Sequence, residues 1–169
     1  ERAKVAKFNT WMQAHPLRTL FVPDEIRNIS GVESSGPIDA IVPAHNEEST
    51  VADVARALIQ SGAFGRVIVV DDGSTDKTAE QAKLGGAEVV RLEKNIGKTG
   101  AMMAGVEQST ARDIAFFDAD AVNMKPEYAT ALAGEYRKGG YAQVCGVLDH
   151  GVMNTSRLAT GQRIVRRDV

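Results

Sequence analysis

One cysteine, Cys145, stands among the 169 residues, which excludes an internal disulfide framework and a cysteine-rich metal cluster. A basic excess is also missing. Twenty Lys and Arg face 22 Asp and Glu, and a formal charge of −2 argues against a broad nucleic-acid surface. No apolar run approaches the roughly 18 to 20 residues that span a bilayer, and no signal-peptide pattern opens the chain. These absences predict a soluble, cytoplasmic protein, or the soluble part of a larger one. The chain opens on Glu1 rather than Met and stops after Arg166-Arg167-Asp168-Val169, which points to a fragment. What it does have is a 43% hydrophobic composition at a length that suits one domain with a real core.

Two regions are expected. In residues 1–29, Val5, Phe8, Trp11 and Met12 recur at helical spacing until Pro16 interrupts them, so residues 1–37 read as a helical segment and a linker. Such a segment either docks on a partner or membrane surface or packs against the domain that follows. Ser30-Gly31-Val32-Glu33-Ser34-Ser35-Gly36-Pro37 is rich in turn formers. Residues 38–169 then alternate short β-branched runs with helical stretches. Strands are expected at 38–42, 66–70, 88–92, 113–117 and 142–148, and helices at 49–60, 76–84, 98–109 and 126–138. Four consecutive apolar residues, Val67 to Val70, suit a strand buried on both faces. The alternation predicts an α/β domain of three layers, with a mainly parallel sheet between helices.

Ligands of such sheets bind outside the carboxyl ends of the strands. Those ends read Pro43-Ala44-His45-Asn46-Glu47-Glu48, Asp71-Asp72-Gly73-Ser74, Asn95-Ile96-Gly97-Lys98 and Asp118-Ala119-Asp120, so acids gather on one rim. Asp118 and Asp120, two apart in an extended stretch, can face one ion. Carboxylates without histidine or thiolate partners favour Mg2+ or Mn2+; an acidic turn is the plainer alternative. Helix capping explains Ser74, Thr75 and Asp76, and a cap followed by first-turn acids explains much of Asn46-Glu47-Glu48. Capping does not explain two adjacent acids at a strand tip, where one can accept a hydrogen bond from a nucleobase N–H. Gly97-Lys98-Thr99-Gly100 is no P-loop, because position 92, where the first glycine belongs, is Leu. Lys98 at a helix start is nonetheless placed to meet a diphosphate. His45 reads as a loop residue rather than a ligand.

Taken together, Ile41-Val42-Pro43-Ala44-His45-Asn46-Glu47-Glu48, Val69-Val70-Asp71-Asp72-Gly73-Ser74-Thr75-Asp76, Asn95-Ile96-Gly97-Lys98 and Phe117-Asp118-Ala119-Asp120 resemble family 2 glycosyltransferases of the glycosyltransferase-A fold. The segments fall in that family's order across about residues 38–122. The resemblance implies a nucleotide-diphospho-sugar transferase fold and a sugar transfer from a nucleoside-diphosphate sugar, UDP before GDP. It implies that Pro43, Ala44 and Glu47 line the nucleoside site, that Asp72 meets the base, and that Lys98 lies near the base or diphosphate. Asp118 would approach the ribose and share the metal with Asp120, which would hold the Mg2+ or Mn2+ on the diphosphate.

Thr160-Gly161-Gln162-Arg163-Ile164-Val165-Arg166-Arg167 is similar to the Ser-Gly-Phe-Arg segment of dolichol- and polyprenyl-phosphate sugar transferases and to a stretch of glucosyl-3-phosphoglycerate synthases. That likeness implies an acceptor bearing a phosphate or a lipid, with peripheral membrane contact, and makes Arg163 the acceptor-side candidate. Four arginines against one acid over residues 151–169 suit phosphate, or a solvated basic tail. The chain departs from the resemblance in two places. It ends 49 residues after Asp120, before the carboxylate base usual in hydroxyl-activating relatives, and residues 144–149 lack the arginine expected there. Either the base lies in further sequence, or the acceptor is a phosphate that needs none. Asp149-His150 is a candidate for metal or acceptor.

Two other classes compete. A phosphoacceptor signalling domain also pairs acids at one strand end with an aspartate about 45 residues later, and Asp72 to Asp118 is 46; but its acid pair follows the first strand. A nucleotide-binding fragment without activity is the other. Nucleotidyltransferase and dinucleotide-binding readings fail because no glycine-rich loop follows the first strand.

Overall fold

The computed structural model describes residues 19–21, 36–138, 143–148 and 158–166. Seven strands form one sheet: β1 (Thr19–Phe21), β2 (Ile38–Ala44), β3 (Val67–Asp71), β4 (Glu88–Arg91), β5 (Asp113–Phe116), β6 (Gln143–Leu148) and β7 (Leu158–Arg166). Among the described residues four helices are interleaved: α1 (Val51–Gln60), α2 (Thr78–Leu84), α3 (Lys98–Gln108) and α4 (Pro126–Arg137). The sheet order is β1-β6-β7-β5-β2-β3-β4. The strands β5, β2, β3 and β4 are mutually parallel, and β7, β6 and β1 extend the β5 side in antiparallel pairings.

Period-two alternation in apolar strands divides the core. Val42, Val69, Ala115 and Phe117 face one side, where Val51, Val54, Leu58, Ala82, Leu132 and Tyr136 cover them from α1, α2 and α4. Ile41, Ile68, Val70, Ile114 and Phe116 face the other, against Ala101 of α3. Every residue of β3 is buried, as a parallel strand packed on both faces must be. This is the expected three-layer α/β/α arrangement, with its helices at the expected places.

Three expectations need correction. Residues 19–21 fall inside the stretch read as helix but form a strand, pairing Thr19 with Val147 and Phe21 with Cys145. Thr and Phe are strand formers, and pairing with β6 outweighs the local helical pattern. The rest of 1–35 lies outside the described residues. Next, the segment from Leu158 to Arg166 is not a solvated tail but a nine-residue strand between β5 and β6. Finally, β5 ends at Phe116, and Asp118 starts a turn in which the Ala121 N–H donates to its carbonyl at 3.3 Å, so Asp118 and Asp120 do not sit in an extended stretch. Among the described residues no helix is long and apolar enough to cross a membrane. Asp149 and His150 lie outside the described residues.

Candidate active site

Because the four central strands run parallel, the loops that follow them emerge on one rim, and the first two interlock. The Asn46 N–H donates to the Ser74 hydroxyl at 3.0 Å, and the Asn46 side-chain oxygen accepts from the Thr75 N–H at 2.9 Å. The Glu47 N–H donates to the Thr78 hydroxyl at 2.8 Å, and the Glu48 carboxylate accepts from the Lys77 N–H at 3.0 Å. Asn46 adopts φ 57°, a left-handed conformation that asparagine tolerates better than most residues. These bonds correct the capping expectation for Asn46, Ser74 and Thr75: α1 starts at Val51 and α2 at Thr78, and the three side chains tie loop to loop. Asp76 does serve its own turn, accepting the Thr78 N–H at 2.9 Å.

A third loop is carried on the second. Asp72, 2% exposed, accepts the Ile96 N–H on one carboxylate oxygen at 2.8 Å and the Gly97 N–H on the other at 2.9 Å. Gly97, at φ 85°, turns the chain into α3, whose first residue is Lys98. The Lys98 ammonium reaches across to the Asp118 carboxylate at 2.5 Å.

The rim encloses a cleft of about 260 Å³, bounded by Pro43, Ala44, His45, Glu47, Asp72, Asn95, Gly97, Lys98, Ala101, Asp118, Ala119 and Asp120. Seven of the eight residues singled out in the sequence therefore converge. The eighth, Arg163, is not among those lining residues. It lies on β7 opposite Phe116, with its guanidinium 5.4 Å from that ring's centroid. The lining also includes His45, Asn95 and Gly97, which the sequence places on the rim without a binding role. His45 anchors the floor through its Nδ1, 2.9 Å from the Asp72 carbonyl oxygen, and no local pattern signals that bond across 27 positions.

The cleft is electrically strained. Burial first, and then the neighbouring Asp120 charge, raise the Glu47 carboxyl above its ordinary range, while the Thr50 hydroxyl works against them. The Asp120 charge thus acts on Glu47, and a cation between such acids would relieve both. Asp118 and Asp120 offer hard oxygen donors, which fit Mg2+ or Mn2+ taking its remaining ligands from diphosphate and water. Among the described residues no group of three or more His, Cys, Asp or Glu forms a ready metal cage.

Comparison with known proteins follows the same outline. The family model for glycosyl transferase family 2 matches residues 39–168. An uncharacterized glycosyltransferase, YaiP, of Escherichia coli is 42% identical over 93 residues, 52% of this chain and 23% of that protein. The 4,4'-diaponeurosporenoate glycosyltransferase of Staphylococcus aureus is 36% identical over 105 residues, 59% of this chain and 28% of that protein. The chain thus spans about a quarter of the length of these curated relatives. Among solved structures, Mycobacterium tuberculosis glucosyl-3-phosphoglycerate synthase superposes with a TM-score of 0.65 at 22% identity, over 80% of this chain and 60% of that one. The same synthase in complex with Mn2+, UDP-glucose and phosphoglyceric acid gives 0.63 at 21%, over 79% and 58%. At those identities the likeness is one of fold.

Proposed function

The chain belongs to glycosyl transferase family 2, and from that premise we propose that its cleft binds a nucleoside-diphosphate sugar, with UDP before GDP, and passes the sugar to an acceptor. The observation that carries this reading is the meeting of Lys98, Asp118 and Asp120 at the mouth of a cleft bounded by Pro43, Ala44, Glu47 and Asp72. Pro43, Ala44 and Glu47 take the nucleoside end, with Asp72 beside the base. Lys98, at the start of α3, faces the diphosphate, where helix N–H groups and an ammonium both favour negative charge. Asp118 and Asp120 hold Mg2+ or Mn2+, and Asp118 also approaches the ribose.

Breaking the glycosidic bond leaves charge on a nucleoside diphosphate, and a divalent cation supplies neutralisation where that charge develops. Lys98 adds a second positive group on the same side. The structural neighbour's complex with UDP-glucose and Mn2+ supports the choice of nucleotide and metal. That neighbour's phosphoglyceric acid supports an acceptor bearing phosphate, lipid-linked or not, for which Arg163 is the contact on this chain. A cytoplasmic reaction, where nucleotide sugars are available, and peripheral membrane contact belong to the same reading. Membership of the family replaces the phosphoacceptor alternative.

Calorimetry of UDP and GDP binding, with and without Mn2+, tests the proposal. Mn2+-dependent binding supports it; absent or metal-indifferent binding removes its main support.

A further inference from the structure

We propose that Asp72 is a positioning residue, whose buried carboxylate holds residues 95–98 in the shape that sets Lys98 against Asp118. For its binding readout this rests on the reading of the cleft given above; for its structural readout it does not.

The loop that carries Lys98 has no burial of its own to hold it. Residues 93–99 are all exposed, and Ile96, the one large apolar side chain among them, is 49% exposed. Seven exposed residues do not keep one conformation through the hydrophobic effect, so hydrogen bonding has to supply it. The Asp72 carboxylate does so as a fork, taking the Ile96 N–H on Oδ1 and the Gly97 N–H on Oδ2. Two adjacent peptide planes are fixed by one side chain, and each bond is strengthened by the carboxylate's charge.

The fork itself is fixed. The Asp72 N–H donates to the Ala44 carbonyl at 2.8 Å, and His45 Nδ1 lies 2.9 Å from the Asp72 carbonyl oxygen, so its backbone is tied to the central strand β2. The neighbouring turn presses on the loop from below. A Cβ on Gly73, at φ +65°, would fall 2.6 Å from both the Asn95 nitrogen and the Lys94 carbonyl carbon. The loop therefore rests directly on backbone, with the Asp72 side chain reaching around it and the Asn95 side-chain oxygen also accepting the Gly97 N–H at 2.9 Å. From Gly97 the chain enters α3 at once, and the Lys98 ammonium meets Asp118. A carboxylate that is 2% exposed, with each oxygen accepting one N–H of the loop, holds that loop whatever else its remaining lone pairs meet, and the placing of Lys98 depends on it.

Hydrogen exchange and binding on Asp72→Ala, Asp72→Asn, Lys98→Ala and Asp72→Ala/Lys98→Ala test this. In Asp72→Ala the Ile96 and Gly97 amides should exchange faster while β3 and α1 keep their protection. Affinity for UDP in Mn2+ should fall roughly ten-fold. Lys98→Ala should cost far less in the Asp72→Ala background than in the wild type, since the ammonium is already misplaced there. Asp72→Asn, which keeps one acceptor oxygen, should be intermediate, and it carries the test if the alanine variant does not fold. Unchanged exchange at 96–97, or additive losses, would overturn the proposal. If the wild type binds neither nucleotide, the donor reading falls while the exchange result still decides this one.

Discussion

Lys98 Nζ stands 2.5 Å from Asp118 Oδ1, bridging the start of α3 and the turn after β5 across the mouth of the cleft. The pair neutralises a carboxylate that the proposed chemistry needs for a cation, so ammonium and metal compete for it. Lys98 is 62% exposed, and a solvated pair of this kind contributes no more than about 1 kcal/mol. Lys98→Ala should therefore raise the affinity of the nucleotide-free protein for Mn2+ by roughly two- to five-fold, while UDP binding weakens. Titration with Mn2+ followed by electron paramagnetic resonance reads the first effect and calorimetry the second. Weaker Mn2+ binding in the variant would mean that Lys98 assists the metal site rather than shielding it.

Asp120 differs from Asp118 in having the raised Glu47 carboxyl as its neighbour rather than a lysine. Replacing it removes a proposed metal ligand and relieves Glu47 together. In Asp120→Ala the affinity for UDP should be the same with and without Mn2+, and sugar transfer should fall by two orders of magnitude or more, as expected when charge stabilisation at the leaving group is lost. Metal-dependent UDP binding that survives in this variant would place the cation elsewhere.

The sheet and the positions of its rim loops were legible because their signals are local. Val67 to Val70 announce a doubly buried strand without reference to anything distant, and polar residues directly after apolar runs mark the carboxyl ends. What sequence reading missed depends on partners far along the chain. Asn46, Ser74 and Thr75 have the composition of helix caps, and only the fold shows them bonded to each other 28 and 29 positions apart. The strand β7 was hidden by its arginines. Arg166 is 7% exposed, with Asp113, 53 positions earlier, 3.7 Å away, and Arg163 lies on the Phe116 ring. A charge that looks solvated in sequence becomes a packed strand residue once its counter-charge and its aromatic neighbour arrive from another strand.

Two helical glycines should respond oppositely to the same change. A Cβ on Gly105 of α3 would meet Ile41 Cγ2 at 2.5 Å and Val70 Cγ2 at 3.1 Å, where the helix lies directly on the sheet. Gly134 of α4 has nothing within 4 Å of that position. Gly134→Ala should stabilise by about 0.5–1 kcal/mol through reduced backbone entropy in the unfolded chain. Gly105→Ala should destabilise by about 1–3 kcal/mol, since overpacking outweighs the same entropic gain. Urea unfolding of the two variants checks both, and equal effects would mean that α3 can lift from the sheet at no cost.

Tyr136 of α4 is 1% exposed, and its hydroxyl donates to the Asp113 carboxylate at 2.8 Å. Burial, and then that carboxylate as acceptor and as charge, push the phenol up to about 12 from its ordinary value of 10. A raised pKa in the folded state means that the neutral phenol stabilises the fold fully below pH 10, and that this share is lost as pH climbs toward about 12. In Tyr136→Phe the hydrogen bond is absent at every pH. The variant should be less stable than the wild type by about 1 kcal/mol near neutrality. The difference should then shrink across the interval from 10 to about 12, because only the wild type has this stabilisation to lose. Denaturation curves of both proteins at pH 8, about pH 10 and about pH 11.5 measure the gap; a gap that stayed constant or widened with pH would show that the phenol is not held neutral by its burial against Asp113.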